Sequence, residues 1–207
     1  MKSKALIKDA LILFLITIIS GGLLGAVYDL TKEPIAIQQE ESKLNAYREV
    51  MKEADRFEEE DSKLMKKCEK QLKGDYGTNG IIVSHALKAF QEKQQLGYVI
   101  QVIDKDGFGG DIEIIVGINN DKIITGVEIL SIDETVGLGM NAKKEEFRNQ
   151  YLGKKVDEFK VVKNGSQKDD EIDALSGATI TSKAMTYGIN GALDFYDLLI
   201  KEGGLKQ

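Results

Sequence analysis

Residues Ala10 to Tyr28 (ALILFLITIISGGLLGAVY) carry no charged side chain, and this run limits the chain more than any other feature. Nineteen residues at a helical rise of about 1.5 Å cover roughly 28 Å, close to the hydrocarbon thickness of a bilayer. The run is therefore expected to be a transmembrane helix. Lys2, Lys4 and Lys8 precede it, whereas its C-terminal flank is mixed (Asp29, Lys32, Glu33). The positive-inside rule then puts residues 1–9 in the cytoplasm and the body of the protein on the other side. A cleaved signal peptide has a similar basic-then-apolar pattern, but this run exceeds the usual apolar region and no clear A-x-A site follows it. Gly21 and Gly25 form a G-x-x-x-G pair. Such a pair either reflects the frequency of glycine in membrane helices or lets a partner helix approach closely.

Charge divides at the same point. Residues 1–29 have a net charge of +1, so the remainder holds −7 to give the total of −6. An acidic body repels phosphate backbones, and nucleic acid is not an expected partner. Cys68 is the only cysteine of the 207 residues, so no intramolecular disulfide can form, and its charged surroundings (Lys66, Lys67, Glu69, Lys70) suggest a bystander and not a nucleophile. His85 is the only histidine, which argues against a histidine-built metal site and for a structural or surface role.

Residues 29–80 read as a membrane-proximal helical segment with a closing loop. Ile37, Leu44, Tyr47, Met51 and Ala54 recur at helical spacing between Glu33 and Leu72. Glu58-Glu59-Glu60-Asp61 is expected to be solvated surface. Gly74 to Gly80 (GDYGTNG) has loop composition.

Residues 81–207 change period. Gly97–Ile103 and Gly110–Ile118 are rich in β-branched residues, with Ile112, Ile114, Val116 and Ile118 on one face. Asn119-Asn120-Asp121 supplies turn chemistry before Lys122–Ser131, giving an antiparallel hairpin. Ala142–Tyr151 reads as a short polar helix, Phe159–Lys163 as a strand and Ile180–Ile200 as a long helix whose buried face carries Ile180, Ala184, Tyr187, Ala192, Phe195 and Leu199. Hairpin-linked strands with helices at the ends imply an α+β fold, an antiparallel sheet with flanking helices.

Asp173 to Ser182 (DALSGATITS) is a loop of small and hydroxylated residues directly ahead of that long helix. Free amides and the positive end of the helix dipole meet there, which suits a phosphate. Thr179 lies at the helix entry, where its hydroxyl could equally act as a plain N-cap.

The segment Asp173-x-x-Ser176-Gly177-Ala178-Thr179 resembles the flavinylation motif of the FMN-binding domain family. Gly107-Phe108-Gly109-Gly110-Asp111-Ile112-Glu113, Val116-Gly117-Ile118, Gly126-Val127 and Glu134-Thr135-Val136-Gly137-Leu138-Gly139 add to the likeness. With the N-terminal span, this order is similar to that of the G subunits of Rnf ion-translocating electron-transport complexes. The resemblance implies FMN joined to Thr179 by a phosphoester that a separate flavin transferase installs from FAD. It also implies a flavin site of Ser176, Gly177, Ala178, Thr181 and Ser182 together with Glu134, Thr135, Gly137, Leu138 and Gly139. The other subunits of a membrane complex would then be the partners, in electron flow from ferredoxin to NAD⁺ coupled to Na⁺ or H⁺ export. Val136 stands where the family often has proline, and Ile132 or Asp133 where it frequently has histidine. Two other readings remain open at this point: a flavin subunit of a Na⁺-translocating quinone reductase or other extracellular electron carrier, and a cofactor-free, membrane-anchored scaffold.

Overall fold

The computed structural model describes residues 2–76, 80–163 and 165–203. It divides into two units, Met1–Lys43 and Leu44–Gln207.

The first unit is helical. Helix α1 (Lys2–Val50) begins in it and contains an apolar stretch of mean hydropathy 2.5, long enough to cross a membrane. Its apolar side chains from Leu6 to Leu30 are exposed, as a lipid-facing helix requires. α1 runs on through Pro34 without a break in its assigned span.

In the second unit, five antiparallel strands follow one another as neighbours: β1 (Arg56–Glu59), β2 (Ile81–Gln91), β3 (Gln94–Asp104), β4 (Ile112–Asn119) and β5 (Ile124–Ile132). The expected β4–β5 hairpin is present, with Val116 opposite Val127. One face of this sheet places Ile100, Val102, Ile112, Ile114, Val116 and Ile118 against helices α2 (Ser62–Tyr76) and α4 (Thr179–Gly203). The opposite face packs Val99, Ile115, Leu87 and Ala89 against Tyr47 and Val50 at the end of α1 and Met51 just beyond it. Both faces are covered, so β4 reads nearly continuously apolar instead of alternating. Each fully buried isoleucine contributes about 1.5–3 kcal/mol relative to exposure.

The last turn of α1 sits unusually close to the sheet. A Cβ on Gly126 would lie 2.4 Å from the Val50 Cα, and one on Gly117 would lie 2.3 Å from the Val50 carbonyl oxygen. The Thr125 hydroxyl donates to that same carbonyl at 2.5 Å. Glycine is required at both positions because backbone meets backbone there.

The remaining elements are a 3-10 helix (Gly139–Lys143), α3 (Glu145–Arg148) and a parallel pair β6 (Lys160–Val162) and β7 (Glu171–Asp173). The polar helix expected over residues 142–151 is thus shorter and split, and the strand expected over residues 159–163 is β6.

Several expectations need correction. The segment after Val50 is not one helix: β1 and then α2 replace its second half. The acidic run is not all solvated surface. Glu60 is 8 % exposed and accepts hydrogen bonds from Lys88 Nζ (2.9 Å) and the Tyr98 hydroxyl (3.0 Å). Burial pushes the Glu60 carboxyl up, but the bonds from Lys88, the Asp61 amide and Tyr98 outweigh it and hold the group below the ordinary glutamate range. Asp61 starts α2, its Oδ1 accepting from the Lys63 amide at 2.6 Å. Cys68 is fully buried between α2 and the sheet, and burial pushes its thiol up. Of the loop expected over residues 74–80, residues 74–76 end α2, while residues 77–79 lie outside those described. On α4, Ile180 and Tyr187 are not core residues: they are 51 % and 37 % exposed, while Met185, Ile189, Leu193 and Tyr196 fill the interface.

Candidate functional site

Three loops meet at the start of α4. The first joins β3 to β4 and is glycine-rich, the second follows β5, and the third leads from β7 into α4. A Cβ on Gly109 would stand 1.7 Å from the Asp133 carbonyl oxygen, so the first two loops touch through backbone. The Phe108 amide donates to Glu134 Oε1 at 2.8 Å and locks them together. Gly139 brings the second loop against α4, since a Cβ there would be 2.8 Å from Thr181 Oγ1 and from Glu134 Cβ. Any side chain at 139 would fill the space between them.

The third loop is held at both ends. The Asp173 amide donates to Gln150 Oε1 at 2.7 Å, and Gln150 Nε2 donates back to the Asp173 carbonyl at 3.3 Å. At the other end buried Ser182 accepts from the Leu175 amide and donates to the Ala178 carbonyl, both at 2.9 Å. Between these ends Gly177 adopts φ +73°, the left-handed turn that glycine takes without strain, and Leu138 lies against it. Ser176 and Gly177 are exposed.

Thr179 is the first residue of α4 and not its N-cap, and among the described residues its hydroxyl makes no hydrogen bond. The first amide of α4 with a backbone acceptor is that of Ser182, on the Ala178 carbonyl at 3.0 Å. The amides of the preceding turn are the ones that a helix start leaves for an anion or solvent.

The loops enclose a cleft of about 350 Å³. Glu134, Thr135, Leu138 and Gly139 line one side of it, and Gly177, Ala178, Thr179 and Thr181 the other. Its volume falls in the range of small-molecule sites, about 300–1,000 Å³. Three residues expected at the site do not line the cleft: Ser176 and Gly137 are exposed beside it, and Ser182 lies buried behind it. Two lining residues were not anticipated, Phe108 (69 % exposed) and Ile180. A lone aromatic among glycines and acids was the only signal for Phe108; nothing in the pattern of α4 marked Ile180.

A larger groove of about 490 Å³ lies across Ile180, over Phe159, Ala184 and Thr186. Its buried polar groups are already engaged. Asn190 bonds both the amide and the carbonyl of Phe159, and the Thr186 hydroxyl meets Ser182 and Tyr151. The cleft with the unengaged Thr179 hydroxyl is the better fitted to hold a ligand.

Four residues ahead of Phe108, Asp104 ends β3 fully buried, with Oδ1 accepting from the Asp106 amide at 2.8 Å. Burial pushes its carboxyl up to about 6, and the negative charges of Asp106 and Asp111 add to the effect.

Comparison with known proteins gives these features a family. Residues 107–194 match the FMN-binding domain family, and residues 1–50 match the RnfG N-terminal region. The chain is 33 % identical to the G subunit of an ion-translocating oxidoreductase complex of Aliivibrio fischeri, over 91 % of this chain and 89 % of that protein. It is 31 % identical to the G subunit of the Na⁺-translocating ferredoxin:NAD⁺ oxidoreductase complex of Acetobacterium woodii, covering 96 % and 95 %. It is 34 % identical to the G subunit of the proton-translocating ferredoxin:NAD⁺ oxidoreductase complex of Clostridium ljungdahlii, covering 85 % and 83 %. Among solved structures it is similar to NqrC of Shewanella oneidensis, at 23 % identity and TM-score 0.49, over 56 % of this chain and 61 % of that one. The chain belongs to the family of G subunits of Rnf-type ion-translocating oxidoreductase complexes, with its FMN-binding domain match running from the β3–β4 loop into α4.

Proposed function

We propose that this subunit carries FMN as a phosphoester on Thr179 and relays electrons within a membrane complex that moves electrons between ferredoxin and NAD⁺ with Na⁺ or H⁺ translocation. The observation that carries this reading is the Thr179 hydroxyl, unengaged among the described residues, in the first turn of α4 and on the wall of the cleft. A phosphate on that oxygen gains the amides and the dipole of the helix start. The bound flavin supplies the redox chemistry, and the chain holds it in place and tunes it. The Phe108–Glu134 bond and the close approach at Gly139 hold the loops against one another and against α4, while Leu138 on Gly177 fixes the turn that presents Thr179. Phe108 and Ile180 offer apolar surface at the mouth.

The bond forms when the threonine oxygen attacks the flavin-bearing phosphorus of FAD, AMP departs, and the hydroxyl proton passes to a base. A threonine hydroxyl is a weak nucleophile near neutral pH, so a separate flavin transferase is the catalyst we assign to this step. The lysines ahead of the apolar stretch support a cytoplasmic N-terminus and a flavin domain on the far side of the membrane. There a covalent link prevents loss of the cofactor.

The deciding experiment coexpresses the full chain with a flavin transferase and measures intact mass and in-gel flavin fluorescence. The expected result is a mass gain of one FMN less one water, lost in Thr179→Val. A dark band of unmodified mass from the native host would overturn the proposal, and retained fluorescence in Thr179→Val would move the attachment to Ser176, Thr181 or Ser182.

A further inference from the structure

Asp104 closes β3 and opens the loop that carries Phe108 to the cleft. The residue is 0 % exposed, yet its carboxyl is only half engaged: Oδ1 accepts from the Asp106 amide, and among the described residues Oδ2 has no hydrogen-bond partner. An ionised carboxylate is costly in such a place unless it is paired or fully hydrogen-bonded. Among the described residues, the elements around it offer no compensation. It pairs with Ile81 of β2 and Ile112 of β4 in the sheet, and a Cβ on Gly188 of α4 would lie 3.6 Å from its own Cβ. The charges that bear on it, Asp106 and Asp111, are both negative, and the titratable group on α4 that feels it is the Tyr187 hydroxyl.

We infer that Asp104 is a positioning residue for the flavin cleft: a proton held on its buried Oδ2 keeps the β3–β4 loop, and so Phe108 and its bond to Glu134, in place beside Thr179. The inference rests on the reading that a flavin occupies that cleft. Its raised proton affinity, up to about 6, agrees with this. Loss of the proton leaves a buried negative charge at the root of the loop, which loosens the loop and disfavours electrons on a ring held in the cleft. Proton and electron therefore favour each other's binding, and the coupling is reciprocal.

The test uses the full chain in lipid nanodiscs, once without flavin and once loaded. Without flavin, the amide resonances of Asp106 and Phe108 are followed against pH. They are expected to share an inflection near pH 6 that vanishes in Asp104→Asn and moves to lower pH in Asp106→Asn, which removes a neighbouring negative charge. In the loaded protein, the flavin midpoint potential should change its slope against pH near the same value. Asp104→Asn should lose that change and keep a higher potential than the wild type above pH 7. The inference is overturned by amides that do not titrate, by an inflection that persists in Asp104→Asn, or by a loaded wild type whose potential has no break. The flavin-free arm decides the state of Asp104 even where the mass of the protein shows no cofactor, so the two readings fail separately. If Asp104→Asn does not fold, the direction of the Asp106→Asn shift decides.

Discussion

The backbone N–H of Phe108 donates to Glu134 Oε1 across 2.8 Å, so a buried carboxylate in the loop after β5 holds the loop after β3. Glu134→Ala leaves that amide without its acceptor, at a cost of about 1–3 kcal/mol. Glu134→Gln keeps an oxygen in place and is expected to cost less than the alanine variant. Urea unfolding of both variants checks the order, and faster hydrogen exchange at the Phe108 amide in Glu134→Ala alone locates the effect.

Ser182 and Thr179 are expected to separate folding from attachment. Ser182→Ala removes both the acceptor of the Leu175 amide and the donor to the Ala178 carbonyl. It should destabilise by about 1–3 kcal/mol and reduce flavin incorporation, because the loop no longer presents Thr179 in one conformation. Thr179→Val should stay within about 0.5 kcal/mol of the wild type and incorporate no flavin at this position. Thermal melts set beside in-gel fluorescence distinguish the two variants. Equal stability of Ser182→Ala and the wild type would count against the clasp.

Gly126→Val is expected to force the last turn of α1 off the sheet, since its Cβ would meet the Val50 Cα at 2.4 Å. The cost should exceed about 2 kcal/mol, because backbone cannot yield as a flexible side chain can. Thr125→Val, which only removes the bond to the Val50 carbonyl, should cost about 1 kcal/mol. Chemical denaturation ranks the two, and a mild Gly126→Val would contradict the close packing.

Asp104 predicts a pH dependence of stability with a definite sign. Its folded-state proton affinity, up to about 6, exceeds the ordinary aspartate value of 3.8, so the folded state holds the proton more tightly than the unfolded chain. The contribution is complete below about pH 4 and is lost as pH rises through 6, amounting to at most about 3 kcal/mol. Asp104→Asn should flatten this part of the profile and melt above the wild type at pH 8. A difference in melting temperature between variant and wild type that is the same at pH 4 and pH 8 would refute it.

How much of this was legible in the sequence depended on what each element packs against. β3, β4 and β5 were readable because their β-branched residues carry the signal without help from partners. β2 was missed: Ser84, His85 and Lys88 interrupt its apolar pattern, and a bulge between Val83 and His85 shifts its phase. β1 is four residues with three charges, and only its pairing with Leu87–Phe90 makes it a strand. Glu60 looked like surface because the Lys88 and Tyr98 that receive it are distant in sequence. The buried face of α4 was misassigned at Ile180 and Tyr187 because the helix approaches the sheet through Gly188 and Gly191, beside Ile114 and Ile81, and hydrophobic spacing does not register a close approach made by glycine. Cys68 had a readable clue in the spacing of Leu64, Cys68 and Leu72, four residues apart on one face of α2, which the surrounding lysines obscured. At the cleft, the Thr179 segment and the Glu134 loop were found through their motif, whereas the contacts between loops through Gly109 and Gly139 exist only in three dimensions.

The clasp on the third loop, Gln150 at one end and Ser182 at the other, has an implication for the order of events in the life of the chain. A visiting protein that recognised Ser176, Gly177 and Thr179 would meet a bent epitope whose outline exists only after β7, the turn that follows α3, and α4 have assembled. Newly made chains would go unread until then, so modification at this spot would serve as a receipt that folding had finished.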